Sequence, residues 1–131
     1  MVAVLGGVLG ACGSDDNGSG VGQASGGEQT AQLAAGQKSY ADNCARCHGD
    51  RLEGGTGPNL KGSDRPLENY QTAQGLFDYV SKTMPFDKPG SLTEKQYYDA
   101  IAHVIRANEL LPADTVIDKQ TAPGVRLTGG R

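Results

Sequence analysis

Two of the three cysteines in this 131-residue chain lie three positions apart, and a histidine directly follows the second. The stretch reads "CARCHG" and runs from Cys44 to Gly49. Residues i and i+3 of a helix share a face, so Cys44 and Cys47 would present both sulfurs to one side, with His48 beside them. Two thiols and an imidazole in this arrangement could hold a metal, form a redox pair or attach a flat cofactor covalently.

Three alternatives to a covalent cofactor are less well supported by the rest of the chain. A thioredoxin-like redox pair requires a βαβ unit, and alternating strand patterns are absent. A structural zinc site usually takes four ligands from two such clusters, but only two cysteines and two histidines follow the first twelve residues. A disulfide would not explain the histidine. The C-x-x-C-H pattern is the attachment signal of a c-type haem, whose vinyl groups take the thiols while the imidazole reaches the iron.

The composition independently favours a bound group. Hydrophobic residues make up 37% of the chain, aromatic residues make up 5%, and tryptophan is absent. Small domains bury proportionally little surface, and one with such a thin core usually needs a staple such as a cofactor. The net charge is −3, and the charged residues form no long run of one sign. The absence of a basic run argues against a nucleic-acid partner.

The opening stretch "MVAVLGGVLGAC" is apolar and ends in small residues before Cys12. Its closing "LGAC" resembles the lipobox of bacterial lipoproteins, which implies cleavage before Cys12 and a lipid on its thiol. The stretch departs from the pattern in one respect, since no basic residue precedes the apolar run as in a secretory leader. The alternatives are an ordinary signal peptide with an incidental Cys12, or a disordered apolar end. We predict a signal peptide over residues 1–11, lipidation at Cys12, and a periplasmic or other extracytoplasmic location in a bacterial cell envelope.

Both flanks of the central region are predicted to lack regular structure. Residues 12–32 are rich in Gly, Ser, Asp and Gln, which predicts a flexible linker behind the lipid anchor. Residues 109–131 carry Pro112 and Pro123 without a helical period. We predict an extended C-terminal tail that is pinned to the surface by aliphatic side chains, namely Val116, Ile117, Val125 and Leu127.

The central region, residues 33–108, is predicted to be an all-α domain with long loops. A first helix is expected over residues 33–45. A second helix begins after Thr72 as N-cap, and a third begins at a capping box of Thr93 and Gln96. The glycine-rich loop between the first two helices is long for a small domain, which indicates that it wraps around something.

These motifs and their order resemble the cytochrome c family. The resemblance implies a compact cytochrome c fold around one covalent haem c, with His48 as an axial iron ligand. It assigns Met84, in "KTMPFDKPGSL", as the second axial ligand, and the carbonyl of Pro58, in "GTGPNLKG", as the acceptor that orients His48. The alternative role of Met84 is to fill the core, and that of Pro58 is to form a simple turn.

The resemblance also predicts that the first and last helices cross at Gly36 and Tyr40. His103 stands where the family usually has a tyrosine, so we expect it to pack at this crossing; iron ligation is the alternative. The predicted haem pocket and core consist of Leu52, Leu60, Leu76, Val80, Ile101, Val104 and Ile105.

A haem with both axial positions filled leaves no place for a substrate, so we expect a one-electron carrier and not an enzyme. The first hypothesis is a monomeric, membrane-tethered carrier between a quinol-oxidising complex and a terminal oxidase. The second, suggested by similarity to cytochrome domains that accompany alcohol, sugar or sulfite dehydrogenases, is an electron-accepting subunit. A five-coordinate gas sensor would require that Met84 does not bind. The cations that we expect to flank the haem edge and to meet acidic partners are Lys61, Arg65, Lys82 and Lys88; solvation of the surface is their alternative role.

Overall fold

The computed structural model describes residues 26–62 and 66–128. This part of the chain contains four α-helices: α1 (Gly26–Asn43), α2 (Ala45–His48), α3 (Ala73–Thr83) and α4 (Glu94–Ala107). Two 3-10 turns span Glu68–Tyr70 and Ala122–Gly124. Within the described ranges the only β-type pairing is an isolated bridge between Thr72 and Arg126, so the all-α prediction is confirmed. None of these helices combines the length and the apolar character needed to cross a bilayer.

Helix α1 begins at Gly26, well before the predicted start at residue 33. The predicted linker is therefore wrong in its last part, while residues 12–25 lie outside the described residues. Gln32 is buried, and its side-chain amide donates to the carbonyl of Ile117 and accepts from the N–H of Ile117, both at 2.7 Å. Gln29 donates to the carbonyl of Thr115 at 2.9 Å. The C-terminal tail thus stabilises a helical turn whose own composition lacks an apolar face.

Helices α1 and α4 cross where the sequence predicted. A Cβ at Gly36 would collide with the backbone carbonyl of Asp99, so the absence of a side chain lets the two backbones approach closely. The Tyr40 ring lies 5.2 Å, centroid to centroid, from the His103 ring. This crossing fixes the C-terminal end of α1, from which α2 follows immediately.

The predicted caps of the other two helices are present. The Gly75 N–H donates to the Thr72 hydroxyl at 3.1 Å at the start of α3. At the start of α4, the Gln96 N–H donates to the Thr93 hydroxyl at 3.2 Å, and the Thr93 N–H donates to the Gln96 side chain at 2.9 Å. Such reciprocal bonds satisfy backbone donors that have no partner inside a helix.

The core lies between α1, α3 and α4 and is closed by the tail. Five of the predicted core residues are buried, and Leu60 and Val80 pack against them while partly exposed. The tail is extended apart from its 3-10 turn, and its Ile117, Val125 and Leu127 are buried. It runs beside the start of α3, where the Leu127 N–H donates to the backbone carbonyl of Gln71 at 2.8 Å.

Candidate functional site

Helix α2 carries the C-x-x-C-H motif, with Cys44 as its N-cap residue. The N–H groups of Cys47 and His48 both donate to the Cys44 carbonyl, at 3.1 and 3.0 Å, so a single turn holds the three side chains. Both thiols are free and half-buried. Burial, together with the neighbouring Cys47, raises the pKa of the Cys44 thiol to about 11. A Cys44 thiol with a raised pKa is not an activated redox nucleophile.

His48 is buried, and its Nδ1 lies 2.8 Å from the carbonyl oxygen of Pro58. A carbonyl can only accept, so Nδ1 carries the proton in this contact. The lone pair of the neutral ring is then on Nε2, which bonds to no other described residue. An imidazole with Nδ1–H held by a carbonyl and Nε2 available is the usual arrangement of a metal-binding histidine. The contact between His48 and Pro58 is the one that the sequence predicted.

The glycine-rich loop after α2 closes over the imidazole. The Gly57 N–H donates to the Cys47 carbonyl and the Gly54 N–H donates to the His48 carbonyl, each at 2.7 Å. A Cβ at Gly57 would lie only 3.0 Å from His48 Nδ1, so a side chain at this position would press on the ring. Gly49 begins the loop with a φ of 82°, a left-handed conformation that favours glycine. The loop therefore packs around the His48 ring and holds it in place.

Met84 lies at the C-terminal end of α3, where its N–H donates to the Val80 carbonyl at 2.9 Å. Its own carbonyl accepts a 2.7 Å hydrogen bond from the Tyr97 hydroxyl. The Gly90 N–H is a longer donor to the same carbonyl, at 3.4 Å. Residues 84–90, here called the Met84 loop, are thus anchored at the start of the loop and at its end.

An ion pair joins the Met84 loop to the haem-attachment motif. Arg46, between the two cysteines, places Nη2 3.0 Å from the Asp87 carboxylate. Hydrogen bonding from Arg46 lowers the pKa of Asp87. The pair is solvent-exposed, so its importance is positional: it shows that the two motifs meet in space although 41 positions separate these residues in sequence. Neither the residue type of Arg46 nor its place between the two cysteines indicates this contact.

The remaining predicted residues lie elsewhere. His103 packs at the α1–α4 crossing, as expected, and burial lowers its pKa. Lys61, Lys82 and Lys88 are exposed. Cys12 and Arg65 lie outside the described residues. The position of Tyr97 near the site could not be predicted, because its only signal in the sequence is a place on the apolar face of α4.

The helical fold, the C-x-x-C-H turn and the held imidazole together define a class I c-type cytochrome domain. The family model described as "Cytochrome C oxidase, cbb3-type, subunit III" matches residues 31–104, more than half of the chain. The chain belongs to this family. No curated protein sequence matches the chain.

A solved structure is also similar to this chain, namely a chain of the sulfane dehydrogenase SoxCD from Paracoccus pantotrophus. The two share 30% sequence identity with a TM-score of 0.63, and the match covers 75% of this chain. It covers 54% of that chain, so the present chain spans about half of its length.

As a cytochrome c domain, the chain takes a covalently bound haem c, and it is an electron-transfer domain. The donor set fits this cofactor: two thiols on one helical turn, and an imidazole whose Nε2 lone pair is available. Cys44, Cys47 and His48 are the residues that would hold it. Among the described residues no group of three or more His, Cys, Asp or Glu side chains could hold a metal ion.

Proposed function

We propose that this protein is a one-electron carrier whose single haem c is ligated by His48 and Met84. The observation that carries the proposal is the fixed state of His48, with Nδ1–H held by Pro58 and Nε2 left as a ligand. The ion pair between Arg46 and Asp87 supports Met84 as the second ligand, because it ties the Met84 loop to α2.

When bound, the haem supplies reversible one-electron chemistry at iron. The residues of the chain control its environment. Cys44 and Cys47 hold the cofactor covalently, and the Pro58 carbonyl keeps the proton on Nδ1 of His48. A thioether from Met84 would close the remaining position and favour the reduced state, as Met/His ligation does in other cytochromes.

The proposed partners are a quinol-oxidising complex as electron donor and a terminal oxidase as electron acceptor. The name of the family supports an oxidase as the physiological neighbour. The C-terminal tail also favours an independent carrier, because Ile117, Val125 and Leu127 are buried against this domain and are not free to dock on a partner. We further propose a monomer on the extracytoplasmic face of a bacterial membrane, anchored through a lipid on Cys12.

A second candidate function is that of an electron-accepting subunit of a periplasmic dehydrogenase. The observation that favours it is the 30% identity to a chain of a sulfane dehydrogenase. In that case the exposed surface around the Met84 loop would be in permanent contact with the enzyme.

A native gel of gently solubilised membranes, stained for haem, separates the two candidates. A carrier should give a small, lone haem band that requires detergent for extraction. The Cys12→Ser variant, exported by a cleavable leader, is the matched control and should release the same band without detergent. A haem band that migrates with a dehydrogenase activity would contradict the carrier and support the subunit.

A further inference from the structure

We infer that Tyr97 is the positioning residue that holds Met84 in place as an iron ligand. This inference rests on the proposed ligation by Met84. Tyr97 itself does not need to touch the cofactor, since its effect passes through the backbone of the Met84 loop.

The Tyr97 hydroxyl joins the two ends of the segment that connects α3 to α4. It donates to the Met84 carbonyl at 2.7 Å, while the Leu92 N–H donates to it at 3.4 Å. The side chain is only 3% exposed, so no bulk water competes for these bonds. A buried phenol generally needs such partners. The Tyr97 hydroxyl therefore links Met84, at the start of this segment, to Leu92, near its end.

The backbone of Met84 has few other restraints beyond α3. Its N–H still closes the last turn of the helix onto Val80, but its carbonyl points out of the helical ladder. Among the described residues, only Tyr97 and the more distant Gly90 N–H bind this carbonyl. Without the Tyr97 hydroxyl, only the longer hydrogen bond from the Gly90 N–H would orient the Met84 carbonyl.

The ring of Tyr97 is itself held rigidly. It meets Phe77 of α3 edge-on, at an interplanar angle of 90° and a centroid distance of 6.3 Å. Because α4 is fixed by its crossing with α1, the hydroxyl is presented from a rigid element. Such support is what a precisely placed ligand requires.

Tyr98 offers a matched control in the next position. It is buried to a similar degree, with 4% exposure, and it stacks on the same Phe77 ring at 4.1 Å. Its hydroxyl, however, bonds to the Gln74 side chain at 3.3 Å and not to the Met84 loop. Tyr98→Phe therefore removes a buried hydroxyl from the same aromatic cluster without touching the ligand loop.

The test uses the haem-loaded Tyr97→Phe and Tyr98→Phe variants. Ferric haem shows a weak far-red absorption band when a thioether sulfur is bound, and external cyanide binds only after the sulfur leaves. Loss of one hydrogen bond should raise the sulfur-free population, and hence the observed cyanide binding rate, roughly three- to tenfold in Tyr97→Phe. The Tyr98→Phe rate should equal that of the wild type. The far-red band of Tyr97→Phe should be lost at a lower denaturant concentration than the global transition.

Equal cyanide rates in Tyr97→Phe and the wild type would overturn the inference alone, provided that the wild type shows the far-red band. Equal acceleration in both variants would also overturn it, since the effect would then be general destabilisation. A wild type without the band, whose cyanide binding is unchanged by Met84→Ala, would overturn the proposed ligation and the inference with it.

Discussion

At the level of single residues, the site depends on which ring nitrogen of His48 carries the proton. Its place is fixed by the 2.8 Å contact between Nδ1 and the Pro58 carbonyl. This contact could be predicted from the sequence because the family motif and the proline lie at a typical spacing. The contacts around Met84 could not, since neither Arg46 nor Tyr97 carries a residue type or spacing that indicates its partner.

His103 provides a pH-dependence prediction at the same scale. Burial lowers its pKa in the folded state, whereas the unfolded chain has the ordinary value of about 6.5. The unfolded chain therefore takes up this proton first as the pH falls. Stability should be fully present above about pH 6.5 and should decline below it.

The measurement is denaturant unfolding of the haem-loaded protein at about pH 7.5 and about pH 5, for the wild type and for His103→Tyr. Carboxylates contribute to acid unfolding in both proteins, so the difference between the two isolates His103. The variant should lose less stability on acidification. An identical loss would show that His103 is not held neutral at the crossing.

At the scale of elements, the α1–α4 crossing positions the site because α2 follows directly from α1. Gly36→Ala would place a methyl group against the Asp99 carbonyl. The two helices would have to separate, at a cost of about 1–3 kcal/mol in the free energy of unfolding. Gln37→Ala, on the exposed side of α1, is the control and should have little effect. Equal stability of Gly36→Ala and the wild type would mean that the two backbones do not approach closely at Gly36.

Capping and periodicity made two of the helices predictable. Thr72, Thr93 and Gln96 all act as the local sequence indicates. The first two turns of α1 were missed because their stability is not local. Gln32 finds its partner in Ile117, 85 positions away, and a sequence pattern within one window cannot report such a bond. The tail, predicted to be extended, also proved to be part of the core.

At the scale of the whole molecule, the haem is expected to complete a core that the chain alone fills poorly. The double variant Cys44→Ala, Cys47→Ala has no thiols for covalent attachment. We expect it to lack a cooperative thermal transition, as followed by circular dichroism, because the apolar mass at the centre is missing. The Cys12→Ala variant should melt like the wild type. A double variant that melts cooperatively at the wild-type temperature would show that the protein fold does not depend on the cofactor.

Ligation of the iron by Met84 is the central claim, and it can be tested directly. The measurement is the far-red absorption of the ferric protein, together with its reduction potential, in the wild type and in Met84→Ala. If Met84 binds the iron, the wild type shows the band, and the variant loses it, binds cyanide readily and has a lower potential. A wild type without the band, with the same potential as Met84→Ala, would show that Met84 does not bind the iron, which would then be open to external ligands.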